Sequence, residues 1–411
     1  MRHVSGGAAT AVRAGDPATG ATGPATGPAT GRRAGPAATG PGATRSRLEG
    51  LDGLRAVAIV GVLAVHLGFG TGGFLGVQVF FVVSGFLITT LLVGERRRAG
   101  RTDLRAFYLR RFARLTPGLL VSLAVVIPVW VLATEFPVRG ALVTCLTAVT
   151  YLTNWAGTLH NSPLPGPSYT WSLAQEEQFY LVIPVLVARL RPARYGVVAR
   201  WCVAGSLALG AARIGLQAAF PDAGWSIYHN PVLNMDCLLM GVGLALWLAR
   251  PTLVSRAQPV SRAHRDHTGP SARVLALPAV VVLMAVTPTF GPWAGAAVLA
   301  VSLLTVCVIV EVTTRGVRGV AGVLDWAPVR WVGTRSYSIY LFNVPALLLF
   351  DALRYEHWLL YGVLTVALTL AVSEAVTRWV ETPAREAMKA RLAVRRIPAP
   401  RRAAPVPEPA A

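Results

Sequence analysis

The sequence predicts an all-α fold, a polytopic bundle of about ten transmembrane helices with disordered N- and C-terminal tails. Three observations lead there. Hydrophobic residues make up 54% of the 411 and charged residues only 14%, where a soluble chain carries roughly a quarter charged. Apolar runs recur at close to the roughly 20 residues that cross a bilayer. The arginines fall in short clusters between those runs. The net charge of +20 (39 basic, 19 acidic) would otherwise raise nucleic acid as a partner. That reading needs a soluble basic face, and none is available.

Residues 1–46 are Ala, Gly, Pro and Thr with scattered Arg. They lack the side chains that build a core and are expected to be disordered, with no apolar stretch of a cleaved signal. The membrane domain is expected over 47–386, and a basic, Pro-rich tail over 387–411. The spans read as 52–69, 75–93, 116–134, 171–189, 198–219, 230–249, 274–291, 293–312, 335–352 and 358–380. Loop 94–115 holds eight arginines, 250–273 five and 189–200 four, whereas 135–170 holds only Arg139. The positive-inside rule then places both termini in the cytoplasm, and the plasma membrane is the expected location. Residues 140–157 are apolar, but counting them as a span inverts the charge pattern. They read as an outer-face or re-entrant segment, and the count stays at ten or eleven.

Arg55 and His66 are eleven residues apart on the first span, 1100° of rotation and so about 20° from one face. His66 lies roughly 16 Å further along the axis. Such a ring is expected to face a polar cavity or to be a neutral partner between helices; helix geometry supports both. Arg111 and Arg114, three apart, project from one side of an interfacial helix. Their guanidinium forks suit phosphate, and lipid headgroups are the alternative. In TWSLAQEEQFYL, Glu176 shares a stripe with Ser172 and Tyr180, which makes it the better candidate for a cavity wall; Glu177 shares one with Leu173 and Leu181.

Ser84, beside Gly85, reads as a close-packing position. Asp236 begins a span and is a candidate for the same cavity. Tyr337, Tyr340 and Asn343 share a stripe that reads chiefly as interhelical hydrogen bonding. The cysteines Cys145, Cys202, Cys237 and Cys307 stand singly, so neither zinc nor disulfides are expected. His160, His229 and His357 lack ligand spacing, and no metal or bound cofactor is expected.

Taken in order, LDGLRAVAIVGVLAVH, GVQVFFVVSGFLIT, RRFARLTP, TWSLAQEEQFYL, RSYSIYLFNVP and VETPARE resemble the acyltransferase-3 family of integral-membrane O-acyltransferases. The resemblance covers residues 50 to about 386. It implies that Arg55 and His66 are the family's Arg-x10-His pair and that Arg111 and Arg114 are its donor-binding Arg-x-x-Arg pair. It also implies acyl-CoA, acetyl-CoA in the first instance, as cytoplasmic co-substrate and a carbohydrate or glycosylated acceptor. On that reading His66, Arg55 and Glu176 are catalytic, His66 as general base or acyl carrier, and Glu177, Asp236 and Tyr340 line the acceptor cavity. Many members have His where Asn343 stands, and no hydrolase-type domain follows Glu381, so an acyl-transfer partner is expected to be a separate protein. Two other readings stay open: acylation of a secreted small molecule such as a macrolide sugar, and transport of a lipid-linked glycan without acyl chemistry.

Overall fold

The computed structural model describes residues 42–134, 137–161, 167–250, 272–315 and 320–394. Residues 1–41 and 395–411, most of the two expected tails, lie outside the described residues. Helical hydrogen bonding outlasts the apolar runs at both ends. The first helix already begins at Gly42 and the last continues to Val394, beyond the expected boundaries at 46 and 386.

The principal helices are α1 (Gly42–His66), α2 (Leu75–Ala99), α3 (Leu104–Thr134), α4 (Val138–Val149), α5 (Thr153–His160), α6 (Trp171–Arg189), α7 (Tyr195–Ala219), α8 (Gly224–His229) and α9 (Met235–Leu248). They continue with α10 (Ala276–Val286), α11 (Pro292–Arg315), α12 (Val320–Leu324), α13 (Ala327–Leu349), α14 (Trp358–Val376) and α15 (Thr382–Val394). A helix lies over each of the ten expected spans. Among the described residues, five segments are long and apolar enough to cross a membrane by themselves: Leu75–Ala99, Leu104–Leu132, Pro192–Ala219, Pro292–Thr313 and Trp358–Ala393. The count of ten therefore rests on apolar runs that five helices alone satisfy by both length and hydropathy.

The doubtful segment 140–157 resolves into α4 and α5. Helices of 12 and 8 residues rise about 18 and 12 Å, short of the roughly 30 Å hydrocarbon layer. Helix α5 is fixed to α6 by polar contacts, with Asn154 donating to Gln175 and Gln178 at 3.1 Å each. This is how non-spanning backbone is tolerated at membrane depth.

Helix α2 is the centre of the bundle. It packs on α1, α6, α9 and α11, and 72% of its apolar window is buried, against 22% for Pro192–Ala219. Leu181, Val182 and Leu186 of α6, Trp201 of α7, and Leu359 and Val363 of α14 are exposed. A belt of outward apolar side chains is what lipid contact requires.

Glycines allow the closest approaches. A Cβ on Gly333 of α13 would stand 1.7 Å from the Asp52 carbonyl oxygen, and one on Gly85 would stand 2.2 Å from that of Leu238. Gly85, rather than Ser84, therefore carries the packing of the Ser-Gly pair. Two arginines in the last turn of α2 have a structural task. Arg96 donates to the Ala188 carbonyl at 3.1 Å, and Arg97 donates to that of Ala249. These cations satisfy carbonyls at the C-terminal ends of α6 and α9, where the helix dipole is negative.

Candidate active site

A cavity opens between α1, α2, α3, α6 and α13. Its polar wall is Arg55 of α1, Ser84 of α2, Arg111 and Arg114 of α3, Ser172, Glu176 and Tyr180 of α6, and Ser336, Tyr337 and Tyr340 of α13. Phe80, Phe81, Leu87 and Ile88 of α2 supply an apolar wall. The Ser172–Glu176–Tyr180 stripe expected from four-residue spacing is thus the face that α6 turns to the cavity.

Arg111, read from the sequence as part of an interfacial helix, meets both glutamates of α6. Arg111 Nε donates to Glu177 Oε1 at 2.8 Å, and its Nη2 stands 3.6 Å from Glu176 Oε2. The guanidinium carbon is 3.2 Å from the ring centroid of Tyr180, a cation–π arrangement. Ser84 donates to the other side of Glu176, Oγ to Oε1 at 2.5 Å. Glu177 is spent on Arg111 and does not line the cavity, contrary to its expected place on the acceptor wall.

Arg114 differs from Arg111. It lines the cavity, yet no hydrogen bond or ion pair reaches its guanidinium among the described residues. Arg55, on the same wall, has only Asp52 among the described residues, at 3.5 Å. Asp236 does not line this cavity at all. It lies 3.1 Å from Arg213 of α7, both groups almost fully buried, in a network that includes Asn234. An acid at the start of a span signals a partner, and only the packing of α7 on α9 shows that the partner is this arginine.

His66 ends α1, and its Nδ1 is 2.7 Å from Oδ1 of Asn343 on α13. Asn343 Nδ2 donates to the carbonyls of Ile339 (3.1 Å) and Tyr340 (2.7 Å). The amide orientation is thereby fixed, with Oδ1 turned to the ring. His66 Nδ1 must then carry the proton, and Nε2 keeps its lone pair. His66 itself is not among the cavity-lining residues. The wall ends at Tyr340, and Asn343 lies three residues on, about 5 Å of helical rise. Tyr340 shares a 2.6 Å hydrogen bond with Ser172 Oγ and donates to the Tyr169 carbonyl. Tyr337 donates to that of Leu115 at 2.7 Å. The α13 stripe does make the interhelical bonds its spacing suggests.

Residues 48–378 match the family model described as an acyltransferase domain. The chain belongs to this acyltransferase family. Similar proteins include the peptidoglycan O-acetyltransferase OatA of Listeria monocytogenes, 29% identical over 370 residues, covering 84% of this chain and 56% of the relative. The putative peptidoglycan O-acetyltransferase YrhL of Bacillus subtilis is 29% identical, covering 82% of this chain and 55% of its own length. The O-acetyltransferase OatA of Staphylococcus aureus is 28% identical, at 82% and 57%. The acyltransferase chain thus spans little more than half the length of these curated relatives. No solved structure matches it.

Sequence reading passed over Ser84 and Tyr180 as members of the site of this acyltransferase. The signal for Tyr180 was present in its stripe with Glu176. Ser84 carried none, because the neighbouring Gly85 gave its motif a packing explanation.

Proposed function

We propose that this acyltransferase moves an acyl group, acetyl in the first instance, from acyl-CoA to a hydroxyl of a carbohydrate acceptor. The donor reaches the cavity from the cytoplasmic side, and its phosphates meet the guanidinium groups there. The apolar wall of α2 accommodates the pantetheine arm, whose length compares with the roughly 16 Å of helix rise between Arg55 and His66.

Transfer is a single displacement. The acceptor O–H gives its proton to His66 Nε2 while its oxygen attacks the thioester carbonyl. The C–S bond breaks, and the leaving thiolate takes the proton from the imidazolium. Asn343 holds Nδ1–H and supports the positive ring, the part that the orienting group plays in a triad. Glu176, fixed by Ser84 and Arg111, is an acceptor for a sugar hydroxyl.

The observation that carries this reading is the tautomer of His66. A half-buried imidazole at a helix end, with Nδ1 committed to Asn343 and Nε2 left to accept, is built to take a proton. The names of the relatives favour a cell-wall glycan as acceptor. The test is transfer of labelled acetyl from acetyl-CoA to glycan acceptors, normalised to membrane-inserted protein. His66→Gln keeps a hydrogen-bonding group but cannot take a proton near neutral pH. It should lose on the order of 10²–10⁴-fold in rate. Substantial activity in His66→Gln rejects both the base and an acyl-histidine. Glycan export without acetyl incorporation would support the transporter reading instead.

A further inference from the structure

We infer that the Arg-x-x-Arg pair is divided between two tasks: Arg114, with Arg55 and Arg385, forms a site for a phosphate ester or diphosphate, whereas Arg111 is a positioning residue that holds Glu176. The inference deepens the donor reading of the same cavity and rests on it for the identity of the ligand.

The division follows from how each charge is balanced. Arg111 is opposed by two carboxylates, at 2.8 and 3.6 Å, and its planar face is covered by Tyr180. A phosphate arriving there would have to displace Glu177 and leave that carboxylate without its cation. Arg114, one turn away, makes no ion pair or hydrogen bond of this kind among the described residues. Within electrostatic reach it has three more guanidinium groups, Arg55, Arg111 and Arg385. The acids within electrostatic reach of Arg114 are Asp52 and Glu177, and each is shared with other arginines, Asp52 with Arg55 and Arg330 and Glu177 with Arg111. Arg385 stands on α15, which packs against α3. Its Nη2 donates to Thr382 Oγ1 at 3.1 Å, and Glu381, one turn before it, is turned inward to accept from Ser338. Partly buried guanidinia that outnumber the carboxylates beside them are costly unless an anion completes the set. Their forks match phosphate oxygens. The sequence places Arg385 in VETPARE, far from the other two, and only the docking of α15 on α3 brings it to this site.

Protein in phosphatidylcholine nanodiscs separates the two tasks. Coenzyme A, ADP and pantetheine are titrated calorimetrically, and thermal stability is measured without ligand. Arg114→Gln should weaken coenzyme A and ADP binding about tenfold or more, as expected for a lost charge-assisted contact. It should leave pantetheine unchanged and leave the ligand-free melting temperature the same or higher. Arg385→Gln should weaken the same two ligands. Arg111→Gln should lower the melting temperature, because two carboxylates are left facing each other, and lower kcat with little change in donor KM. Arg111→Lys should restore part of both. Equal loss of coenzyme A affinity in Arg111→Gln and Arg114→Gln overturns the division. So does a fall in melting temperature confined to Arg114→Gln. Binding of ADP but not coenzyme A supports the anion site and rejects the donor reading. Loss of ADP and coenzyme A binding when phosphatidylglycerol replaces phosphatidylcholine assigns the site to a lipid headgroup and overturns its assignment to the donor.

Discussion

His66 and Asn343, 277 positions apart in the chain, join the end of α1 to α13 through a 2.7 Å contact between Nδ1 and Oδ1. Because both Asn343 amide hydrogens are engaged by backbone carbonyls, this contact sets the ring's tautomer as well as its position.

Asn343→Ala should therefore slow turnover while leaving donor KM near its original value. The hydrogen bond lost is worth about 1–1.5 kcal/mol, roughly a tenfold effect on kcat. Steady-state kinetics at saturating acyl-CoA measures it. An unchanged kcat would show that the ring needs no orienting partner.

The buried pair of Arg213 and Asp236 predicts a different pattern. Removing either charge leaves the other stranded, at a cost of about 3–5 kcal/mol, whereas an apolar pair is tolerated. Arg213→Met or Asp236→Leu alone should lower the yield of folded protein. The double variant should recover it with catalysis intact, since the pair is outside the cavity. Folded yield by size exclusion and acyl transfer on the same samples decide the point.

Gly333→Ala places a methyl against the Asp52 carbonyl and should destabilise by at least about 1–3 kcal/mol through overpacking. Gly362, inside α14, is the control. A Cβ there meets nothing within 4 Å, so Gly362→Ala should be neutral or gain up to about 1 kcal/mol of helix propensity. Melting temperatures in detergent should move in these opposite directions.

On the segment between α7 and α9, His229 stacks 5.6 Å from Trp225 and donates from Nδ1 to the Trp225 carbonyl at 3.0 Å. Burial pushes its pKa down to about 4. The unfolded chain binds the proton first, so stability should be full above about pH 6.5 and decline as pH falls toward 4, by up to about 3 kcal/mol. His229→Phe should flatten that decline in melting temperature. An equal decline in the variant would place the acid sensitivity elsewhere.

The arginine-rich loops predict that both termini are cytoplasmic. Reporter fusions at Gly100 and Arg250 should score inside and one at Asp222 outside. An outside score at Arg250 would break the alternation on which the donor's side of approach depends.

What the sequence determined was local. Apolar runs and arginine clusters laid out the helices. The 3.6-residue period put Ser172, Glu176 and Tyr180 on one face, and Arg55 and His66 on another. The motif strings named the family before any contact was known. Tertiary structure alone decided the partners: Arg111 with Glu176 and Glu177, Arg213 with Asp236, His66 with Asn343, and Arg385 beside Arg114. The physical reason is that helical period fixes an angle about one axis and nothing else. Which faces oppose each other, and at what depth, is set by how helices cross and by where a glycine lets two backbones close, as Gly333 does at Asp52. Loop charges report the side of the membrane on which a helix ends. They do not report which side chains Arg111 meets, and the packing of α3 beside α6 is what sets it against two glutamates.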